Sequence, residues 1–312
     1  MKKVLVTGAN GFVGKILVNQ LIEADWNVTR LVRRALPGDS RSQTIMMDIG
    51  PKTDFSSVLE NIDFIIHLAA RVHRMHETEA DSLKRFQAVN VEGTLNLAWQ
   101  AAQAGVKRFI FLSSVKVHGE MTSPGLPFKE SDPPAPEDAY AKSKYEAEQG
   151  LMELAGKTGM EVVIIRPPLV YGPGVKGNFL VLLNWIRKGV PLPLGAINNQ
   201  RSLVGIDNLV DFIITCMEHT AAANQVFLIS DGEDLSTTEL LERAGRAMGR
   251  PVRLIPVPPA ILRIVAAMLG KKDMAQRLLG SLQVDISKAK NMLDWKPVAS
   301  VDQGLKRCVV DH

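Results

Sequence analysis

Tyr140 is one of three tyrosines in the chain and the only one with a lysine four residues later, Lys144 in the run Tyr-Ala-Lys-Ser-Lys. On a helix this spacing sets phenol and ammonium on one face. There the positive charge is expected to pull the phenol's pKa down from about 10 and make it a usable acid or base. Upstream, Ser113 and Ser114 close the apolar run KRFIFLSS at 107–114. They therefore stand at the C-terminal end of an expected strand, the edge at which an open α/β sheet holds its ligand.

A second constellation lies at the N-terminus. In VTGANGFVG the glycines fall at Gly8, Gly11 and Gly14, between a strand pattern and a helix pattern. Without a Cβ they allow a tight turn, close approach of a pyrophosphate and intimate helix–strand contact, and the first N–H groups of the helix supply partial positive charge. The position inside a β-α-β unit is the one a dinucleotide site requires. At the end of the second strand such sites usually carry an acid for the adenosine ribose, but here Val32 is followed by Arg33 and Arg34. Two guanidiniums offer bidentate donors to a 2′-phosphate and a flat group to stack on adenine, so NADP(H) is favoured, with NAD as the alternative. Asp48, ending the third strand pattern, is placed to meet the adenine edge.

These residues need a scaffold, and the chain supplies one. Short apolar strands at 3–7, 27–32, 44–48, 63–70, 107–114, 161–167 and 225–230 alternate with helical patterns, which implies a doubly wound parallel sheet of the Rossmann type. After Arg166 the rhythm breaks in Pro- and Gly-rich runs, RPPLVYGPGVKGN and KGVPLPLG, and the C-terminal third reads as mostly helical. Ser236 and Glu239 form an expected capping box. The expected division is a dinucleotide-binding lobe of 1–169, rejoined by about 201–230, and a smaller substrate lobe of 170–200 and 231–312.

Composition narrows the class. A chain of 312 residues with 46% apolar content can bury a large core. The net charge of +4 is spread in pairs rather than blocks, which argues against a nucleic-acid partner. Two cysteines, Cys216 and Cys308, in apolar surroundings point to a reducing compartment, and no signal-like segment follows Met1, so a cytoplasmic protein is expected. The segment AILRIVAAMLGKK from Ala260 is too short to span a bilayer and contains Arg263; it is expected to pack on its own domain as an amphipathic helix, with a surface anchor as the alternative. His73 and His76 lack any further metal-ligand pattern and read as part of a substrate-side loop, so no metal is expected.

Taken together, TGANGFVG, HLAA, Asn90 in NVEGT, SSVKVHG, EDAYAKSKYEAE, RPPLVYGPG and VDISKAKNMLDWKP resemble the extended short-chain dehydrogenase/reductase family of nucleotide-sugar epimerases, dehydratases and reductases. The resemblance implies Ser114 as catalytic hydroxyl, Tyr140 as acid/base and Lys144 as the residue that also holds the nicotinamide ribose, with Asn90 supporting their helix. It adds Phe12, Ile49, Leu68, Ala69 and Pro167 to the cofactor contacts, and Asn178 and Arg201 to the diphosphate contacts. A second arginine is expected near the C-terminus; Arg277 is the candidate, although its spacing to Asp285 departs from the family pattern.

Other departures narrow the reaction. Val115 and Lys116 stand where dehydratases carry Asp-Glu, so dehydration is not the expected reaction. His118 and Leu169 replace the Tyr and Asn of the UDP-galactose epimerase pattern. The segments HLAARVHRMHETEAD, SSVKVHGE and QRSLVGIDNLVD look like the UDP-N-acetylquinovosamine 4-reductase group. This makes the first expectation reduction of a UDP-4-keto-6-deoxy-N-acetylhexosamine for surface polysaccharide synthesis, with a UDP-glucose or UDP-N-acetylglucosamine 4-epimerase retaining NAD as the alternative. A nicotinamide-sensing regulator without turnover would have no use for Ser114, Tyr140 and Lys144. The family resemblance also implies a homodimer.

Overall fold

Val4, Leu5 and Val6 are wholly buried, and they alternate between two separate apolar layers: Val4 and Val6 face one side of a sheet, Leu5 the other. A strand covered on both faces reads as a continuous apolar run, which is why these segments stand out in the sequence. The computed structural model describes residues 2–34, 41–72, 79–123 and 125–310. Its strands are β1 (Lys3–Thr7), β2 (Asn27–Val32), β3 (Ser42–Met46), β4 (Phe64–His67), β5 (Arg108–Leu112), β6 (Glu161–Arg166), β7 (Leu169–Tyr171), β8 (Arg201–Gly205), β9 (Gln225–Leu228) and β10 (Asp234–Leu235). The helices are α1 (Phe12–Glu23), α2 (Ser56–Leu59), α3 (Glu79–Phe86), α4 (Thr94–Gln103), α5 (Ala139–Thr158), α6 (Gly177–Arg187), α7 (Ile206–Glu218), α8 (Thr237–Ala247), α9 (Pro259–Met268), α10 (Lys272–Leu279), α11 (Ser287–Leu293) and α12 (Val301–Val310).

Seven strands form one parallel sheet in the order β3-β2-β1-β4-β5-β6-β9, with Val4 paired to Val28 on one side and Phe64 on the other. The order reverses at β1/β4, which opens a crevice at the strands' C-terminal ends. One face is covered by α1 and α7 through Leu17, Leu21, Leu209 and Phe212, the other by α2, α4 and α5 through Val58, Leu97, Ala101 and Leu151. This is the doubly wound α/β fold expected. The third strand lies at 42–46 rather than 44–48 and the fourth ends at His67, so Asp48, Leu68 and Ala69 all fall in loops beyond the strand ends.

A second sheet of three strands, β10-β8-β7, underlies a smaller, mostly helical region with its own core of Phe179, Leu183, Leu203, Leu240 and Leu305. Within 201–230, the strand Arg201–Gly205 belongs to this small sheet, whereas α7 and β9 lie on the large one. Helix α8 opens with the full Ser236–Glu239 capping box. Helix α9 departs from expectation: none of its residues is buried, only Pro259, Leu262 and Ala266 are half-buried, and its main apolar stripe faces outward. Leu262 alone packs on the small core, which is too little inward surface to seat the whole apolar face.

His67 shows how tightly the centre is closed. It is wholly buried at the end of β4, stacked on Phe111, with Nδ1 2.8 Å from Thr7 Oγ1 and Nε2 3.0 Å from Thr94 Oγ1. Burial, aided by the nearby Lys144 charge, pushes its pKa from 6.5 down to about 3. Below 6.5 the unfolded chain binds a proton that the folded chain refuses, so stability falls as pH falls through this window. Between about pH 6.5 and about pH 4.5 the expected loss is about 2 kcal/mol. Urea unfolding at the two pH values should show the loss, and His67→Gln should reduce it.

Candidate active site

Gly8 adopts φ +67°, and a Cβ there would lie 2.8 Å from the backbone N of Ala69. A Cβ on Gly14 would lie 2.3 Å from the carbonyl oxygen of Gly8, so α1 is pressed directly on the turn that leaves β1. Gly11 N donates to Gly8 O at 2.8 Å, and the N-terminus of α1 has no side-chain cap, which leaves first-turn N–H groups for an anion. Gly14→Ala must displace backbone and is expected to weaken dinucleotide binding by roughly ten-fold or more, measured by calorimetric titration.

Beside this turn a cleft of about 430 Å3 is lined by Gly8, Gly11, Arg33, Asp48, Ile49, Leu68 and Ala69, together with Asn10, Met47, Arg71 and Val89, which sequence reasoning had not singled out. Only structure could find these four, because Asn10, Met47 and Arg71 come from separate loops and Val89 from a π-helical turn, and they converge at the β1/β4 crevice. Arg33 and Arg34 are both exposed, but Arg34 does not line the cleft; Val32, itself buried, lines it beside Arg33. Phe12 is half-buried between the two lobes' cores, and the Pro167 carbonyl accepts from Val115 N at 3.0 Å; neither lines this cleft. A glycine cradle that any Cβ would fill, uncapped N–H groups and an adjoining cleft fit a dinucleotide.

The second cavity, of about 420 Å3, gathers Ser114, Tyr140, Asn178, Arg201 and Arg277 although they span 163 positions of sequence, 277 minus 114. Ser113 is buried and absent from the lining, so Ser114 is the hydroxyl presented. Arg277 lines the same cavity as Arg201 despite its unusual sequence spacing. Apolar groups, among them Phe179, Trp185, Leu240 and Leu278, form much of the wall.

Three polar residues to which the sequence assigned no positioning role, Asp138, Lys116 and Glu120, tie the Ser114 turn to the Tyr140 helix. Asp138 caps α5, its Oδ1 accepting from Ala141 N at 2.6 Å, and its Oδ2 accepts from Lys116 Nζ at 2.7 Å. Lys116 also donates to Glu120 at 2.5 Å. Ser114 caps the short turn Val115–Val117, its Oγ accepting from Lys116 N at 3.3 Å, so Lys116 ties the Ser114 turn to the start of the Tyr140 helix. Asp138, as a helix-capping residue two positions before Tyr140, was the one legible signal. Behind α5, Asn90 sits in a π-helical turn, Gln87–Gly93, exchanges two hydrogen bonds with the Arg71 backbone and donates to Ser143 Oγ at 3.0 Å. It lines neither cavity.

Lys144 is buried and reaches the C-terminal end of β5, with Nζ 2.8 Å from Leu112 O and over the Phe111 ring. The expected lowering of the Tyr140 phenol is corrected here. Burial, helped by the Asp138 charge, pushes Tyr140 up to about 12, and burial pulls Lys144 down to about 7. Desolvation outweighs the neighbour because the ammonium is turned to the Leu112 carbonyl. His73 and His76 lie outside the described residues, among which no cluster of metal-ligating side chains occurs.

Comparison with known proteins agrees with this arrangement. The chain is 49% identical to a UDP-glucose 4-epimerase of Vibrio cholerae over 98% of its own length and 94% of that protein. It is 31% identical to the N-acetyl-alpha-D-glucosaminyl-diphospho-ditrans,octacis-undecaprenol 4-epimerase of Escherichia coli O157:H7, covering 97% and 93% of the two chains. Among solved structures, MoeE5 in complex with UDP-glucuronic acid and NAD matches with a TM-score of 0.77 and 26% identity, covering 99% of this chain and 98% of that one. The model of the NAD dependent epimerase/dehydratase family matches residues 4–230, well over half of the sequence. With the glycine cradle, the β1/β4 crevice and the Tyr140–Lys144 helix in one molecule, the chain belongs to the NAD dependent epimerase/dehydratase family.

Proposed function

We propose that this protein is a 4-epimerase of a UDP-activated hexose. The observation that carries the reading is Ser114 and Tyr140 facing one cavity with Arg201 and Arg277, in a chain 49% identical to a UDP-glucose 4-epimerase. When bound, the dinucleotide supplies hydride acceptance and return. Tyr140, whose raised phenol would have to be drawn down to the phenolate by the positive charge of the bound oxidised nicotinamide, would take the proton from the 4-hydroxyl as C4 is oxidised and give it back as C4 is reduced, Ser114 would hydrogen-bond the same oxygen, and Lys144 would hold the ribose beside Tyr140. Arg201 and Arg277 bind the diphosphate, a task suited to guanidinium, with Asn178 beside it. Residues 1–169, with the return at about 201–230, carry the dinucleotide in this reading, and 170–200 with 231–312 carry the sugar nucleotide.

The sequence motifs favour a 4-reductase using NADP(H), and the similarity to epimerases reverses that order. The reductase remains the second reading because Arg33 lines the adenosine cleft where an acid would suit NAD. Denaturing purified protein and identifying the released nucleotide separates them: stoichiometric NAD supports the epimerase, an empty site the reductase. Interconversion of UDP-glucose and UDP-galactose without net change in nicotinamide absorbance supports the first reading. Oxidation of NADPH by a UDP-4-keto-6-deoxy sugar, with no interconversion, overturns it.

A further inference from the structure

The outward face of α9 carries Ile261, Ile264, Val265 and Met268 at the i, i+3, i+4, i+7 spacing of one helical stripe, exposed by 50, 56, 47 and 81%. Leu269, just past the helix end, is 64% exposed, and Ile255, on the segment that leads into the helix, 49%. The inward face spends only Pro259, Leu262 and Ala266 on the protein, all half-buried. A helix laid on its own domain would reverse this arrangement, with the wide apolar stripe inside.

The charges around the stripe are of one sign. Arg253, Arg263, Lys271 and Lys272 are exposed, against a single acid, Asp273, between 251 and 275. Among the described residues none of the four bases has an ion-pair partner. Apolar side chains that enter an acyl boundary, rimmed by bases at headgroup level, are the two signals a stable interfacial contact needs, since neither suffices alone. No helix among the described residues is long and apolar enough to cross a membrane, so the contact is one of lying on the surface.

We propose that α9, with Lys271 and Lys272, docks the protein on an anionic lipid bilayer. Met274, Arg277 and Leu278 of the next helix, α10, line the substrate cavity, so docking sets that cavity's wall close to the lipid surface. The proposal does not depend on which reaction the cavity performs.

Flotation of the full chain with vesicles of phosphatidylglycerol and phosphatidylethanolamine, against vesicles of phosphatidylcholine alone, tests it. Binding is expected to the anionic vesicles only, weakening as salt screens the bases. Ile264→Glu/Met268→Glu is expected to lower it by roughly ten-fold or more, and Lys271→Glu/Lys272→Glu by a similar factor, with thermal midpoint and turnover unchanged. Absence of flotation with wild-type protein overturns the proposal, as does equal binding of the variants. If wild-type protein instead fails to float and Ile264→Glu/Met268→Glu converts a dimer to a monomer on sedimentation, the stripe belongs to a second copy of the chain and the proposal falls.

Discussion

Tyr140→Phe is expected to lower turnover by about a thousand-fold while leaving dinucleotide affinity within a few-fold of wild type. The hydroxyl is the only group the substitution removes. The Phe ring keeps the edge contact with Phe86, and the cap by Asp138 that starts α5 depends on backbone atoms alone on the helix side. The cleft that fits the dinucleotide's adenosine end does not include Tyr140. Steady-state kinetics with calorimetric titration of the dinucleotide measure both quantities; an unchanged turnover number removes Tyr140 from the chemistry. The raised phenol and lowered ammonium add a signature. Lys144 sheds its proton near pH 7 in the fold and near 10.5 when unfolded, so the unfolded chain binds more protons in between and stability rises with pH across that window. Lys144→Met should flatten the rise.

Arg166→Met is expected to cost about 3–5 kcal/mol of stability. Arg166 and Glu148 are both buried, and the guanidinium of β6 forks onto the carboxylate of α5 through Nε at 3.0 Å and Nη2 at 2.5 Å. Its remaining nitrogen donates to His118 Nε2 at 2.7 Å, and burial beside that guanidinium lowers His118 to about 4, so the imidazole is a neutral acceptor. Removing the arginine leaves a buried carboxylate without the guanidinium that forks onto it. Chemical denaturation measures the loss, and the double change Arg166→Met/Glu148→Leu should recover most of it, because desolvating neither charge is easier than desolvating one. Glu148 lies on the same helix as Tyr140 and Lys144, so the single variant should also lower turnover.

The parallel sheet was legible because its strands are buried on both faces and stand out as unbroken apolar runs, and the glycine cradle because Gly8, Gly11 and Gly14 have steric reasons to be there. Tyr140 and Lys144 were legible because a four-residue spacing is local. What escaped was non-local or a matter of balance. Lys116, Glu120 and Asp138 meet only after the turn following β5 folds against α5; alone, Lys116 and Glu120 read as surface charges and Asp138 only as a helix cap. The direction of the Tyr140 shift depends on how deeply the phenol is desolvated and where the ammonium turns, neither of which a spacing records. Periodicity identified α9 as amphipathic but could not say which way its stripe points.

The segment 281–285 is stitched on both sides. Thr122 N donates to Ser281 O and Phe128 N to Gln283 O, while Ser202 N donates to Leu282 O and Asp285 N to Phe128 O. Three stretches about 80 residues apart in the chain thus share one backbone ladder beside the cavity that Ser114 and Tyr140 line. A recombinant that joins residues 1–169 of this chain to the remainder of a relative would inherit mismatched halves of that ladder. Exchange of sugar preference between relatives should therefore require 120–130 and 280–285 to travel together, as a single inherited block.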